Sequence, residues 1–161
     1  MFARLSALHV NYAVASSNLA AVAFVWNVRS AWKWAVALPV LASVLYHLAE
    51  VKHGLPGVSP LNKHARALLW LDRLFAVASA AVVLLSCVSR PAQTLGDAWF
   101  LAAGSVGPAC LLWSERDVAF TKWKLAPLEY LLTHAVWHAA AFYCLAASVR
   151  AWDQPAASRS P

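Results

Sequence analysis

The feature that most constrains this chain is a series of long apolar stretches joined by short polar connections. About 20 apolar residues suffice to carry a helix across a bilayer. Five stretches approach or reach that length: residues 9–28, 32–51, 67–88, 98–113 and 127–149. A soluble domain of this size must cover its core with polar surface. Here only 12% of the residues are charged and 61% are hydrophobic, so that cover is missing. The composition excludes a disordered chain, a disulfide scaffold and an ordinary water-soluble globule. The expected fold class is all-α, a polytopic transmembrane helix bundle of about five spans. Residues 1–152 form its single domain, and 153–161 form a polar disordered tail. The fourth span is the weakest: it is short and carries Gly104, Gly107 and Pro108, which permit close helix packing or a kink. Trp26, Trp32, Trp34, Trp70, Trp99, Trp113 and Trp123 fall near span ends, where an interfacial belt belongs.

Thirteen Lys and Arg against seven acids leave a net charge of +6. The cations sit mostly in connections and tails, which suits anionic headgroups better than nucleic acid. No basic stripe or nucleic-acid motif is present, so the expected partner is the bilayer. Cys87, Cys110 and Cys144 fall in three different apolar segments without CxxC spacing and read as small packing residues. The first stretch reads as a span and not a signal peptide, because His9, Asn11 and Tyr12 interrupt its apolar run. Up-down threading puts the N-terminus and the connections after spans two and four on one side. That side carries the larger share of Lys and Arg, which modestly favours it as cytoplasmic. The chain is expected to be a multi-pass integral membrane protein, in a membrane its sequence does not name.

Ionisable groups at membrane depth are costly and need partners, so they are functional candidates by default. His47 lies near the end of the second span, four residues after Ser43. Asp72 lies near the start of the third, and His134 and His138 lie in the fifth. The threading alone brings these residues to a similar depth on one side. His134 and His138 are four apart, so both imidazoles leave one helical face one turn apart. That is ligand geometry for one ion. A haem held between two histidines would need one from each of two facing helices. His47 would complete a three-histidine site with an open fourth position, the catalytic form of zinc. Asp72 could hold water or act as general base, and Ser43 could hydrogen-bond water or a developing oxyanion.

Plainer readings stand beside these. A His-x3-His pair can be structural, Asp72 with Arg73 can form a local charge pair, and Ser43 can bond to its own backbone. Glu50, one turn after His47, either orients it or marks the interface. Glu129 is assigned to the interface, and His53 and His64 to a solvated loop. Asn11, Ser16, Ser17 and Asn18 make the first span polar and are expected to bond between helices.

Ser43-Val-Leu-Tyr-His47, then Asp72, then His134-Ala-Val-Trp-His138 resemble the S-x3-H, D, H-x3-H pattern of the CREST superfamily. That superfamily contains alkaline ceramidases, adiponectin and progestin receptors, and myomaker-like proteins with their GPI-processing phospholipase relatives. Ser16-Ser-Asn-Leu and Leu45-Tyr-His-Leu-Ala-Glu50 look most similar to the myomaker-like branch. The resemblance implies a zinc held by His47, His134 and His138, with Asp72 and Ser43 around its water. It implies a hydrolase cleaving an amide or ester bond of a lipid whose acyl chain enters an apolar cavity. The non-enzymatic alternative is a receptor-like or membrane-remodelling protein with a structural zinc. The family usually has seven spans and this chain has five, so the cavity is expected to be reduced, or completed by a second subunit in a homo-oligomer.

Overall fold

A computed structural model describes residues 7–26, 28–29, 32–51, 55–115 and 126–153. The described residues are all-α with no strands. The helices are α1 (Ala7–Ser17), α2 (Ala20–Val25), α3 (Lys33–Ala49), α4 (Ala65–Ser89), the short α5 (Pro91–Thr94), α6 (Ala98–Ser114) and α7 (Ala126–Asp153). A 3-10 turn, Leu61–His64, leads into α4.

Each apolar stretch became a helix, or a pair of helices, within a few residues of its expected bounds. Leu8–Val25, Leu61–Ser89 and Leu128–Asp153 are long and apolar enough to cross a membrane. α3 and α6 are shorter apolar helices of 17 residues each. The first stretch breaks at Ser17–Leu19, between α1 and α2. There the Ser17 hydroxyl donates to the Val14 carbonyl and Asn18 Nδ2 donates to the Ala15 carbonyl. Both side chains thus take up carbonyls that a continuing helix would have used. α4 contains no Gly or Pro over 25 residues and extends roughly 37 Å at 1.5 Å per residue. It stops where Pro91 disfavours helical dihedrals at Arg90. α6 starts at Asp97, whose carboxylate caps the backbone N–H groups of Trp99 and Phe100.

The end of α3 is pinned with particular care. Asn11 Nδ2 on α1 donates to the carbonyls of His47 and Glu50, both at 2.9 Å. The Val58 N–H donates to the Leu48 carbonyl at 2.7 Å. These bonds satisfy acceptors that a helix C-terminus leaves without partners. The returning loop comes so close that a Cβ on Gly57 would sit 2.6 Å from the Ala49 carbonyl oxygen. Gly57 also has φ +61°, so only glycine fits there without strain.

α7 is the central helix: α6 packs along it, and α1, α2 and α4 pack on it as well. α3 lies between α1 and α4. α4 and α6 both flank α7 but barely touch each other. Phe24, Val28, Val36, Leu145 and Val149 pack together at the end of the bundle where α7 finishes. Val10, Val14, Leu55 and Tyr130 pack at the other. None of the most apolar stretch of α4 is buried, and Leu74, Val77, Leu84 and Val88 point outward. An apolar surface of that extent suits lipid and not water.

Candidate metal centre

His47, His134 and His138 converge in the interior. One ring nitrogen from each lies within 4.8 Å of the other two, and all three side chains are buried. The His47 and His134 Nε2 atoms are 3.1 Å apart. α7 supplies two of the ligands because positions four apart share a face. α3 supplies the third because its end is held against α1 and the returning loop.

The opposite ring nitrogens explain which atoms face the centre. His138 Nδ1 is 2.7 Å from Ser17 Oγ, whose single proton is directed to the Val14 carbonyl. The hydroxyl therefore accepts there, and Nδ1 of His138 carries the hydrogen. His134 Nδ1 lies 3.2 Å from Ser114 Oγ, and that hydroxyl in turn donates to the Leu111 carbonyl. The same proton count puts the hydrogen on His134 Nδ1. His47 Nδ1 lies 2.9 Å from the Glu50 carboxylate, which can only accept when ionised. A neutral imidazole has one N–H and one lone pair. In that tautomer each Nε2 would present its lone pair to a common centre. With the hydrogens on Nδ1, three ring nitrogens within 4.8 Å of one another form a donor set that fits a metal ion.

Ser43 and Asp72 join the same place. Ser43 Oγ lies 3.4 Å from His138 Nε2. Ser43 and Asp72 both line a cavity of about 500 Å³ that the three histidines also line. From there the cavity follows α4 as far as Leu84, with Ala76, Ala80 and Val83 on its wall. Asp72 and Leu84 are about 18 Å apart along the helix at 1.5 Å per residue. Gly104 and Pro108 of α6 and Phe142 of α7 form the facing walls. One end of the cavity is thus polar, and the rest is apolar apart from Ser79.

Every candidate from the sequence falls in or beside this centre, and the plainer readings sort themselves. The Arg73 guanidinium lies over the Trp70 ring, 5.7 Å from its centroid. The Glu50 carboxylate turns back onto His47 Nδ1, 2.9 Å away. Ser17 and Asn11 bond between helices as expected, whereas Asn18 Nδ2 turns back to the Val14 and Ala15 carbonyls of α1. Trp113 Nε1–H donates to Glu129. His64 is exposed, whereas His53, the tail beyond Asp153, and Arg116, Lys122, Trp123 and Lys124 lie outside the described residues.

Three residues were not foreseen. Ser114 orients His134 from another helix, and no sequence spacing signals that. Tyr46 and Tyr130 both donate to the Glu50 carboxylate, at 3.3 and 3.0 Å. Tyr46 is four residues before Glu50, so that pair was legible as a helical i, i+4 contact.

A second polar cluster sits at the far end of α7. Tyr143 OH donates to Asp97 at 2.8 Å, and that bond, with the backbone donors at the α6 cap, holds the Asp97 carboxyl below the usual carboxylate range.

The fold and site define a helical protein with three apolar membrane-length helices and a buried three-histidine cluster able to bind a metal ion. No family model, curated protein or solved structure matches the chain.

Proposed function

We propose that this chain is a five-span, zinc-dependent integral-membrane hydrolase that cleaves an amide or ester bond of a lipid. The CREST resemblance, closest to the myomaker-like branch, suggested the reaction. One observation carries the reading: three Nε2 lone pairs, a carboxylate and a hydroxyl meet at the polar end of an otherwise apolar cavity. A structural zinc alone requires neither Asp72 nor Ser43 at its edge, nor room beside it.

The depth of the site also supports it. Exposed Trp26, Trp32, Trp34, Trp99 and Trp152 gather at the end of the bundle where α7 finishes. His138 lies fourteen residues before Trp152, about 21 Å along α7. If the tryptophans mark one interface of a hydrocarbon core about 30 Å thick, the histidines lie near the other. A lipid's carbonyl linkage sits at that level, and its chain would run inward along α4.

His47, His134 and His138 would hold the zinc. Bound there, zinc supplies Lewis-acid chemistry that polarises a carbonyl and makes water acidic near neutral pH. The remaining work belongs to side chains of the protein. Asp72 accepts the proton of the attacking water and delivers it to the leaving amine or alkoxide. Ser43 orients Asp72 and places a hydroxyl where negative charge develops on the acyl oxygen. Ala76, Ala80 and Val83 exclude bulk water from the chain.

The test is metal analysis of the purified protein together with hydrolysis of ceramide and phospholipid substrates in detergent. The expected result is about one zinc per chain, lost in His134→Ala and His138→Ala. Asp72→Ala should retain zinc and lose roughly 10²–10⁴-fold in turnover. Metal-free wild-type protein would sink the site. Zinc-loaded protein with no hydrolysis, and with stability unchanged by Asp72→Ala, would favour the structural-zinc alternative.

A further inference from the structure

Glu50 is 2% exposed, yet no Lys or Arg among the described residues forms an ion pair with it. Its carboxylate is instead ringed by neutral donors. Oε2 accepts from His47 Nδ1–H at 2.9 Å and from Tyr130 OH at 3.0 Å, and Oε1 accepts from Tyr46 OH at 3.3 Å. The backbone is fixed as well. Glu50 leaves α3 in an extended conformation, and its carbonyl accepts from Asn11 Nδ2. Four side chains from three helices thus converge on one residue.

Neutral donors solvate an anion but do not cancel its charge. A buried carboxylate either takes up a proton or has a cation within reach. Among the described residues, the His47 ring links Glu50 to the point where the three ring nitrogens converge.

We propose that Glu50 is a positioning residue of the metal site, which holds His47 in its Nε2-ligating tautomer and, with Asp72, offsets the charge of a divalent cation held by three neutral imidazoles. This rests on the reading that the histidine cluster holds such a cation. The charges then close: two from the metal, against one each from Glu50 and Asp72. Arg73 and Glu115, which also border the cavity, are both exposed and opposite in sign.

The three histidines are therefore not equivalent. Ser17 and Ser114 fix their rings with neutral hydroxyls, whereas Glu50 fixes His47 with a full charge. A carboxylate behind an imidazole makes it a stronger ligand. His47 is the ligand contributed by α3, so Glu50 strengthens the bond that ties α3 to α7.

The test is zinc affinity of the full chain in detergent, measured by competition with a chelator, and the visible absorption of the cobalt-substituted protein. Glu50→Gln keeps the size and one acceptor oxygen but removes the charge. It is expected to weaken zinc binding by about 10–100-fold and to alter the cobalt bands. Asp153→Asn removes an equal charge at the far end of α7 and is expected to change neither. If Glu50→Gln does not fold, Glu50→Asp keeps the charge but shortens the reach to His47 Nδ1. Weaker zinc binding in that variant supports the proposal, and wild-type affinity overturns it. Wild-type affinity and spectrum in Glu50→Gln would overturn the role of Glu50 and leave the metal site standing. A wild-type chain that binds no divalent metal would overturn both.

Discussion

Gly107 offers a test of how the helix packing reaches the site. A Cβ on Gly107 would lie 2.8 Å from the Ala140 Cβ on α7. Non-bonded carbons settle at about 3.5–4.0 Å, so Gly107→Ala must push α6 away from α7 by roughly 0.7–1.2 Å. Ser114 is seven residues further along, on the same face of α6. Its oxygen is already 3.2 Å from His134 Nδ1. A rigid shift of that size takes the separation to about 3.9 Å or beyond, past the range of a hydrogen bond. Overpacking of this kind costs about 1–3 kcal/mol. The buried imidazole N–H that loses its acceptor adds about 1–3 kcal/mol. Gly104 is the internal control: it lies on the same helix and a Cβ there meets nothing within 4 Å. Gly104→Ala is expected to gain about 0.5–1 kcal/mol from helix propensity alone. Thermal unfolding in detergent should therefore move in opposite directions for the two substitutions, by about 2–4 °C per kcal/mol. Chelator competition should show weaker zinc binding in Gly107→Ala only. Equal melting temperatures and equal zinc affinities would refute the claim that α6 spacing sets the His134 orientation.

Ser17→Ala removes the acceptor for His138 Nδ1–H, and zinc affinity should fall by about 10–100-fold in a chelator titration. His138→Gln should abolish stoichiometric zinc while keeping a helical circular dichroism spectrum. Asp97 has a lowered pKa in the folded state, chiefly through the Tyr143 hydroxyl. Its contribution is therefore complete above the unfolded carboxyl value, about 3.9, and is lost as pH falls through the lower folded value. Unfolding curves of wild type and Asp97→Asn should differ at neutral pH and converge in acid. The Asp97→Asn change should leave zinc content unaltered, since Asp97 caps the end of α6 remote from Ser114.

Much of the site was legible because it depends on local rules. The four-residue spacing of His134 and His138 needs only the helical repeat to place them on one face. The depth of His47 and Asp72 needs only up-down threading of apolar stretches. The rest was not legible because it depends on contacts far apart in the chain. His47 meets His134 across 87 residues, and Ser17 meets His138 across 121. Nothing in the spacing of Ser114 distinguishes it from the other serines of these helices. Its role follows from Gly107 letting α6 lie close to α7.

By itself the sequence determined that this chain is helical, that its surface suits a bilayer, and that a few costly side chains share one depth. Those follow from apolar run length and scarcity of charge, which act along the chain. Tertiary structure alone decided that the costly side chains point at one another. It decided that the Nδ1 atoms of His138, His134 and His47 meet Ser17, Ser114 and Glu50, and that a ring nitrogen of each converges on one centre. It also decided that α4 and α6 stand apart on α7, which leaves the cavity. Those outcomes depend on where helices cross, and crossing is set by pairs such as Gly107 with Ala140 and Asn11 with the end of α3.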